Sequence, residues 1–247
     1  MNNLVSIIMP CYNNEATIGK AVESVQRQTY IEWELLITDD GSIDGSVELI
    51  ERLASSDKRI KFFSLQKNGG AGVARNNSIK NAVGRYIAFL DADDSWDPEK
   101  LDCQITFMKE NGVALTYSAY QKIKGGDLAG VVMPPEKITY KELIYSNVIG
   151  CLTAVYDSHL LGKRYMPIIR KRQDMGLWLD ILKDIEVARA TPGVLGYYNC
   201  DSGMTKNKLS VLGYQWRFYR DVVELGVVRS LWVFCVYAFR GCRKSMV

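Results

Sequence analysis

Two carboxylates of the 247-residue chain have the spacing of a divalent-cation site, in the segment Asp91-Ala92-Asp93. The segment follows residues 86–90, an apolar run that predicts a buried strand. Ligands of open α/β sheets bind where the strands end, and two carboxylates there suit a hard cation that bridges substrate phosphates. An Asp-rich turn would have the same sequence, so this segment alone favours neither a cation site nor a turn.

Three further segments contain residues that could take part in binding or catalysis. Asp39-Asp40-Gly41-Ser42 follows a second predicted strand, where such a sequence is more often only a turn. Asp174 begins a predicted helix, where it is either a helix cap or a general base. His159 stands in a predicted strand-to-helix turn, which favours a surface role, and as the only histidine it excludes a multi-histidine metal centre.

The chain lacks the glycine-rich loops of two large nucleotide-binding classes. The segment from Gly70 to Gly72 reaches Arg75 where the dinucleotide fingerprint requires Gly or Ala. No G-x-x-x-x-G-K-[ST] motif occurs. The sequence therefore argues against dehydrogenases and P-loop NTPases.

Alternating strands and helices are predicted to position these residues over the first half of the chain. Apolar runs predict four strands, at residues 4–9 (ended by Pro10), 34–38, 60–65 and 86–90. Helical spacing predicts a first helix that buries Ile18, Ala21, Val22 and Val25. Another helix follows the Gly-rich loop 68–72 and extends to about residue 82. Such βαβ units predict a mostly parallel sheet.

Two more helices of this half have predicted caps, and the second half is less regular. Asp44 is a predicted N-cap, and Asp97 followed by Pro98 gives the same signal before the next helix. The later predicted elements are a strand at 113–117, a loop or hairpin at 121–135, a short helix at 140–145, a strand at 152–156, a helix at 174–183, a sheet-edge strand at 189–198 and one or two helices within 207–242.

Composition sets limits on the class of protein. Hydrophobic residues make up 47% and charged residues 24%, which excludes a disordered or fibrous chain. The six cysteines form no C-x-x-C pair, so we expect reduced thiols rather than disulfides or a structural zinc site. No basic segment precedes the first short apolar run, so no signal peptide is expected. These features favour a cytoplasmic protein, and nothing in them indicates a nucleic-acid partner.

The C-terminal tail differs from the rest of the chain in charge. Residues 201–247 carry eight basic and three acidic residues, a balance of +5, which leaves −2 for residues 1–200. Such a tail suits an anionic surface.

Nine of the ten residues 230–239 are apolar, but ten helical residues extend only about 15 Å, half of a roughly 30 Å hydrocarbon core. An apolar helical stripe is formed by Val228, Leu231, Trp232, Cys235 and Phe239. The stripe fits equally a helix in the membrane interface and a helix packed on the domain or on a dimer partner.

Four segments together carry more information than any one of them. They are Ser6-Ile-Ile-Met-Pro-Cys-Tyr-Asn13, Asp39-Asp40-Gly-Ser-Ile-Asp44, Gly70-Ala-Gly-Val-Ala-Arg-Asn76 and Tyr86-Ile-Ala-Phe-Leu-Asp-Ala-Asp-Asp94. In this order and spacing they resemble the N-terminal half of inverting glycosyltransferase family 2, which has the GT-A fold. The resemblance covers residues 1–120 closely and extends to Gln173-Asp174-Met-Gly-Leu-Trp-Leu179, which is similar to the family's E-D-x-x-L-W-L segment.

The resemblance implies a fold and a division of the chain. The fold is α/β, a mixed, mainly parallel sheet flanked by helices, with a C-terminal helical extension. Residues 1–200 would form the catalytic domain, with a nucleotide-sugar half at 1–120 and an acceptor half at 121–200. Residues 201–247 would form the basic, aromatic tail.

The resemblance also implies roles for single residues. Asp174 would be the general base, Asp93 would hold Mn²⁺ or Mg²⁺, and Asp40 would accept a hydrogen bond from uracil N3–H. The remaining nucleotide-sugar contacts would come from Pro10, Tyr12, Glu15, Lys67, Arg75 and Asp91. A solvated helix face is the alternative for Arg75. Gln173 replaces the family's Glu, so acceptor selection is expected to differ.

The activity implied is transfer of a sugar, with inversion, from a UDP-sugar to a hydroxyl of a lipid-linked saccharide. Bacterial O-antigen or capsule assembly at the cytoplasmic face of the inner membrane would use such a reaction. The basic run 170–172 would either be a solvated loop or capture the acceptor's lipid diphosphate.

Two alternatives from other classes stay open. A sugar-phosphate nucleotidyltransferase would need a basic, Gly-rich loop where this chain has Pro10-Cys-Tyr-Asn13. An inactive nucleotide-sugar-binding subunit would not require Asp93 and Asp174, and both are present.

Overall fold

The strands of the protein join into one mixed sheet, in a computed structural model that describes residues 3–201 and 208–244. Within these residues the strands are β1 Val5–Cys11, β2 Trp33–Asp39, β3 Ile60–Ser64, β4 Tyr86–Phe89, β5 Ser95–Trp96, β6 Leu115–Lys124, β7 Asp127–Val132, β8 Lys137–Ile138, β9 Val155–Asp157 and β10 Ala188–Asn199. Their order in the sheet is β3-β2-β1-β4-β9-β6-β10-β5, with β7 paired to β6 and β8 paired to β10.

The predicted architecture is confirmed: the sheet is mixed and flanked by helices. Strands β3, β2, β1 and β4 are mutually parallel, whereas β9 runs antiparallel between β4 and β6. The α-helices are α1 Ile18–Gln26, α2 Ser46–Ser56, α3 Ala71–Asn81, α4 Lys100–Asn111, α5 Tyr140–Leu143, α6 Ser158–Leu161, α7 Gln173–Asp184, α8 Lys208–Arg217 and α9 Val227–Lys244.

Two buried clusters pack against the sheet, because successive side chains of a strand point to opposite faces. Ile7 belongs to the cluster that includes residues of α1, α2 and α4, and its neighbour Ile8 to the cluster that includes residues of α3, α5 and α7. Helix α1 buries Ile18, Ala21, Val22 and Val25, as their spacing predicts. Strands β1 and β4 are rich in apolar residues along their whole length because they are covered on both faces.

Pro10 does not end β1 as predicted, since the strand continues to Cys11. The carbonyl of Ile8 accepts the N–H of Leu90, so Pro10, two residues on, faces the same side of the strand. Strand β4 ends at Phe89, and Pro10 therefore lies beyond the paired part of β4. Its missing N–H removes no hydrogen bond from that pairing.

Three other predicted boundaries and one predicted strand position differ from the structure. Helix α4 begins at Lys100 rather than after Asp97, whose side chain accepts the Glu99 N–H instead. Helix α2 is preceded by Gly45, while Asp44 accepts the Ser46 N–H. A 3₁₀ turn occupies the first part of the predicted strand at 152–156. Strand β10 is not at the edge, because the two-residue strands β5 and β8 pair along its outer side.

The tail packs on the domain through one face. A π-helical turn, Phe218–Val222, follows α8, and its Phe218 and Tyr219 join the buried cluster that includes Trp178 of α7. The Tyr219 hydroxyl donates to the Ile144 carbonyl at 2.8 Å. Helix α9 adds Val233 to the same cluster. The division of the chain at residue 200 stays a prediction.

The opposite face of α9 is apolar and exposed. Val228, Leu231 and Trp232 are 83%, 51% and 66% exposed, and Cys235 is also exposed. Phe239, the last residue of the predicted stripe, lies outside the side chains that the structure describes. Among the described residues, no helix is both long and apolar enough to cross a bilayer.

Candidate active site

Three carboxylates converge just after β4. Oxygen atoms of Asp91, Asp93 and Asp94 all lie within 4.8 Å of one another. Asp94 is 5% exposed, and burial, followed by the charges of Asp91 and Asp93, raises the pKa of Asp94 to about 9. Such mutual repulsion is relieved by a divalent cation, and clustered carboxylate oxygens are the donors that Mg²⁺ and Mn²⁺ prefer. The donor set therefore fits the predicted cation.

Strand β10 fixes the third of these carboxylates. The backbone N–H of Asn199 donates to Oδ1 of Asp94 at 2.8 Å, and the Asp94 N–H donates to the Asp91 carbonyl at 3.0 Å. Sequence reasoning assigned the cation to Asp93 and gave Asp94 no role. The segment Asp91-Ala92-Asp93-Asp94 was the available signal, but the contact with Asn199 depends on the order of the strands.

Arg75 is buried against this cluster, so the predicted alternative of a solvated helix face is wrong. Its Nη2 lies 2.5 Å from Oδ1 of Asp91, and its Nη1 donates to Oε1 of Gln173 at 3.1 Å. Burial lowers the pKa of the guanidinium, but Asp91 and, more weakly, Asp174 raise it above its ordinary value. Arg75 thus places a permanent positive charge between α3, the end of β4 and the start of α7.

Gly72 allows α3 and α7 to approach each other here. A Cβ atom at position 72 would lie 2.8 Å from Nε2 of Gln173. The same Nε2 donates to the Ile169 carbonyl. Gln173 therefore holds two partners at once, the Arg75 guanidinium through its oxygen and the 163–172 loop through its nitrogen.

Asp174 lies in the first turn of α7, where the cap alternative is wrong. The helix begins at Gln173 and is preceded by Arg172, and no side-chain cap bond is formed there. Oδ2 of Asp174 instead accepts a hydrogen bond from Nδ2 of Asn147 at 2.7 Å. Within the described residues, none donates to Oδ1. The carboxylate is half-buried, and both Asp174 and its partner Asn147 belong to the predicted acceptor half of the chain.

Asp40 anchors the Gly-rich loop. It is 2% exposed, and its two oxygens accept the backbone N–H groups of Gly69 at 2.8 Å and Gly70 at 2.7 Å. Gly70 has a φ of +88°, a conformation that side chains disfavour. Each carboxylate oxygen keeps a second lone pair, so contact with a base stays a prediction.

The other predicted donor contacts lie at the ends of β1 and β3. Tyr12 follows β1 and is 47% exposed, whereas Pro10 is buried in the strand. Glu15 accepts the Gly45 N–H at 3.1 Å, which joins the loops after β1 and β2. Lys67 is exposed in the loop after β3. All four stand at the carboxyl edge of parallel strands, and their ligand roles stay predictions.

Cys151 and Asn147 were missed by sequence reasoning. Burial and the nearby carboxylates, Asp91 foremost, raise the pKa of the Cys151 thiol well above its ordinary value, although Arg75 opposes this. The thiol is therefore neutral and unsuited to nucleophilic attack. Neither residue belongs to a recognisable motif.

The basic run before Asp174 contacts the tail, so the solvated-loop alternative is wrong for two of its residues. Arg172 donates to the Tyr237 hydroxyl, and Nζ of Lys171 lies 5.1 Å from the centre of the Tyr214 ring. Arg170 is exposed. His159, in the first turn of the short helix α6, is also exposed, which agrees with the predicted surface role.

The sequence model described as Glycosyl transferase family 2 matches residues 6–160. The chain belongs to this family. It is 40% identical over 243 residues to the Escherichia coli UDP-Glc:alpha-D-GlcNAc-diphosphoundecaprenol beta-1,3-glucosyltransferase WfgD, covering 98% of this chain and 94% of the relative. It is 36% identical over 246 residues to the putative teichuronic acid biosynthesis glycosyltransferase TuaG of Bacillus subtilis, covering 98% of each.

Solved structures have the same fold. The Staphylococcus aureus protein TarS (residues 1–349), in complex with UDP-GlcNAc, matches 95% of this chain and 71% of that chain, with a TM-score of 0.71 and 21% identity. The mannosyltransferase PcManGT of Pyrobaculum calidifontis, in complex with GDP-Man and Mn²⁺, matches all of this chain and 76% of that chain, with a TM-score of 0.66 and 14% identity. The predicted GT-A fold is confirmed, and the protein is a glycosyltransferase rather than a nucleotidyltransferase.

Proposed function

We propose that this glycosyltransferase transfers a sugar from a UDP-sugar to a hydroxyl of a lipid-linked saccharide, with inversion, in bacterial surface polysaccharide synthesis. The observation that carries the proposal is the link from Asp91 through Arg75 to Gln173, because it joins a donor-side carboxylate cluster to the helix of Asp174. The names of WfgD and of the Escherichia coli relative WfaP, 36% identical over 244 residues, support a UDP-sugar donor and a diphospholipid acceptor. The name of TuaG supports a role in polysaccharide synthesis.

On the donor side, Asp93, assisted by Asp91 and Asp94, would hold Mn²⁺ or Mg²⁺. The cation, when bound, stabilises the negative charge that develops on the leaving diphosphate. Arg75, which donates to Oδ1 of Asp91, would hold this carboxylate in place beside the donor. Pro10, Tyr12, Glu15, Asp40 and Lys67 would line the nucleotide.

On the acceptor side, Asp174 would act as the general base. An acceptor hydroxyl is a weak nucleophile until a carboxylate takes its proton. The oxygen of the acceptor hydroxyl attacks the anomeric carbon of the donor sugar from the face opposite the diphosphate. The new C–O bond forms as the bond to the diphosphate breaks, UDP leaves with that electron pair, and the proton moves to Asp174.

The outer face of α9 would lie on the cytoplasmic surface of the inner membrane. Its exposed Val228, Leu231 and Trp232 form an apolar stripe, and the basic tail complements anionic lipids. The face of α9 opposite the stripe packs on the domain, so attachment requires no unfolding of the tail.

Release of UDP tests the activity. The protein is incubated with Mn²⁺, each of several UDP-sugars, and a lipid diphosphate that carries GlcNAc. Release of UDP that depends on the acceptor, with one hexose or N-acetylhexosamine added to it by mass spectrometry, is expected. Release of pyrophosphate, or no acceptor-dependent UDP with any donor, would reject the proposal. NMR of the product gives the anomeric configuration and tests inversion.

Sedimentation with lipid vesicles tests the membrane surface. Binding to vesicles that contain phosphatidylglycerol is expected, with weaker binding to phosphatidylcholine alone, and Trp232→Glu should reduce it at least tenfold. Ile31→Glu is the control, because Ile31 is 75% exposed far from the tail in sequence. Equal sedimentation of the parent and both variants would show that α9 does not bind the lipid.

A further inference from the structure

Asn147 is the residue in hydrogen-bond contact with the carboxylate of Asp174. Its Nδ2 donates to Oδ2 of Asp174 at 2.7 Å, across 27 positions of sequence. Asn147 lies in the loop between α5 and the 3₁₀ turn Cys151–Thr153, and it is half-buried.

The orientation of the Asn147 amide is fixed by its other end. The backbone N–H of Ile149 donates to Oδ1 of Asn147 at 3.3 Å. This assigns the oxygen to the loop and directs the NH₂ group toward Asp174. Only the orientation seen here satisfies both partners. A reversed amide would place its NH₂ group against the Ile149 N–H, and its oxygen against the Asp174 carboxylate.

The hydrogen bond leaves Asp174 with one engaged oxygen and one that receives no bond within the described residues. A side-chain carboxylate otherwise rotates freely about its last torsion. Holding Oδ2 therefore fixes the direction in which Oδ1 presents its lone pairs. A base must meet the proton within about 2.6–3.2 Å, so this orientation bears directly on proton transfer.

Arg75 and Cys151 also lie near Asp174, but their interactions with it differ from the hydrogen bond that Asn147 donates. Arg75, on α3, interacts with Asp174 through charge, and the charge of Asp174 contributes to the raised pKa of the Cys151 thiol in the 3₁₀ turn. Arg75 already donates to Asp91 and Gln173, and the Cys151 thiol is neutral. Neither of them makes a hydrogen bond to the carboxylate in this structure.

We propose that Asn147 is a positioning residue for the reaction, which holds Asp174 in the orientation that accepts the proton of the acceptor hydroxyl. The inference rests on the proposed role of Asp174 as the base. Asn147 itself exchanges no proton and contacts Asp174 only through its neutral amide.

Asn147→Asp separates this role from a purely structural one. The substituted side chain keeps the shape of Asn and the oxygen that accepts the Ile149 N–H, so the loop retains its anchor. It replaces the NH₂ group by a second carboxylate oxygen at hydrogen-bond distance from Asp174. Two carboxylates so close share a proton over a range of pH, since both cannot be ionised without a large cost.

The experiment measures kcat against pH at saturating donor and acceptor, together with UDP affinity and unfolding temperature. Asn147→Asp should lower kcat at pH 7 at least tenfold and move the acidic limb of the profile upward by about one pH unit or more. Asn147→Ala should lower kcat about tenfold at all pH values, with donor KM within twofold of the parent. UDP affinity and unfolding temperature should stay close to the parent in both variants.

An Asn147→Asp enzyme with the parent's pH profile would overturn the inference, as would an Asn147→Ala enzyme with unchanged kcat. A loss of UDP binding or of folding in both variants would assign Asn147 a structural role and would also overturn it. Asp174→Asn distinguishes this failure from that of the proposed function. If Asp174→Asn remains active, the base assignment itself is wrong.

Discussion

Nη2 of Arg75 lies 2.5 Å from Oδ1 of Asp91, and the pair spans 16 positions of sequence to join helix α3 to the end of β4. The second terminal nitrogen of the same guanidinium donates to Gln173. A planar group with several donors can serve both partners at once, whereas an ammonium group cannot reproduce that geometry. The relationship therefore depends on arginine rather than on positive charge alone.

Arg75→Lys should consequently weaken donor binding while the positive charge is kept. Losing one charge-assisted hydrogen bond costs about 1.5–3 kcal/mol, so we expect UDP-sugar affinity to fall at least tenfold. Calorimetry in Mn²⁺ measures it. Arg85→Lys is the matched control, because Arg85 pairs with buried Asp157 by the start of β4, away from the carboxylate cluster. Equal donor affinity of the Arg75→Lys variant and the parent would contradict this prediction.

Asp93→Ala should abolish stabilisation by the cation as well as most turnover. Ligands that bind the folded state raise the unfolding temperature, so Mn²⁺ should raise it for the parent and not for the variant. In EDTA the two proteins should unfold within about 2 °C of each other, because the variant removes one of three mutually repelling carboxylates. Full parent activity in EDTA, or a variant that Mn²⁺ still stabilises, would remove Asp93 from the cation site. Asp127→Ala, in the exposed strand β7, is the control.

Asp40 is predicted to read the base of the nucleotide. A carboxylate accepts the N3–H of uracil, but it faces an acceptor nitrogen in cytosine and leaves both groups unpaired, at about 1–3 kcal/mol each. UDP should therefore bind at least tenfold more tightly than CDP at the same Mn²⁺ concentration, measured by calorimetry. Equal affinities would assign Asp40 only the loop anchoring that its contacts with Gly69 and Gly70 already provide.

Much of the fold of residues 1–120 could be predicted because its information is local. Apolar runs identify β1 to β4, and the spacing of Ile18, Ala21, Val22 and Val25 identifies α1. The predicted ligand-binding residues then follow the strand ends, as is usual in open α/β sheets. The end of β1 was misjudged because the rule for Pro depends on which neighbour the residue faces, and that depends on the sheet order.

The structure after residue 120 could be predicted less well because its decisive contacts are long-range. The N–H of Asn199 reaches Asp94 across 105 positions, and Gln173 meets Arg75 across 98. No local pattern marks Asn147, whose role depends on α7 packing beside its loop. Helix α9 shows the same limit, because its sequence stripe could not reveal which face packs on the domain.

Asp174→Asn should impair chemistry without impairing donor binding. The amide keeps the size of the carboxylate but cannot take a proton from the acceptor hydroxyl, and general base catalysis contributes about 10²–10⁴-fold. We expect kcat to fall by that order, measured as acceptor-dependent UDP release. UDP affinity should be nearly unchanged, because among the described residues Asp174 is linked to the carboxylate cluster indirectly, through Arg75 and Gln173, and not by a hydrogen bond of its own.

The unfolding temperature checks whether that loss of kcat is chemical. Helix α7 has no side-chain cap bond that the substitution could remove, and the Asn amide can turn its oxygen toward Nδ2 of Asn147, which preserves the bond at 2.7 Å. Asp174→Asn should therefore unfold within about 2 °C of the parent.

Turnover within threefold of the parent would exclude Asp174 as the base and would direct attention to Asp180 or Asp157. Of these, Asp157 is paired with Arg85 and Asp180 with Arg164, so each already has an arginine partner. A collapse of UDP affinity in the variant would instead place Asp174 in the donor site.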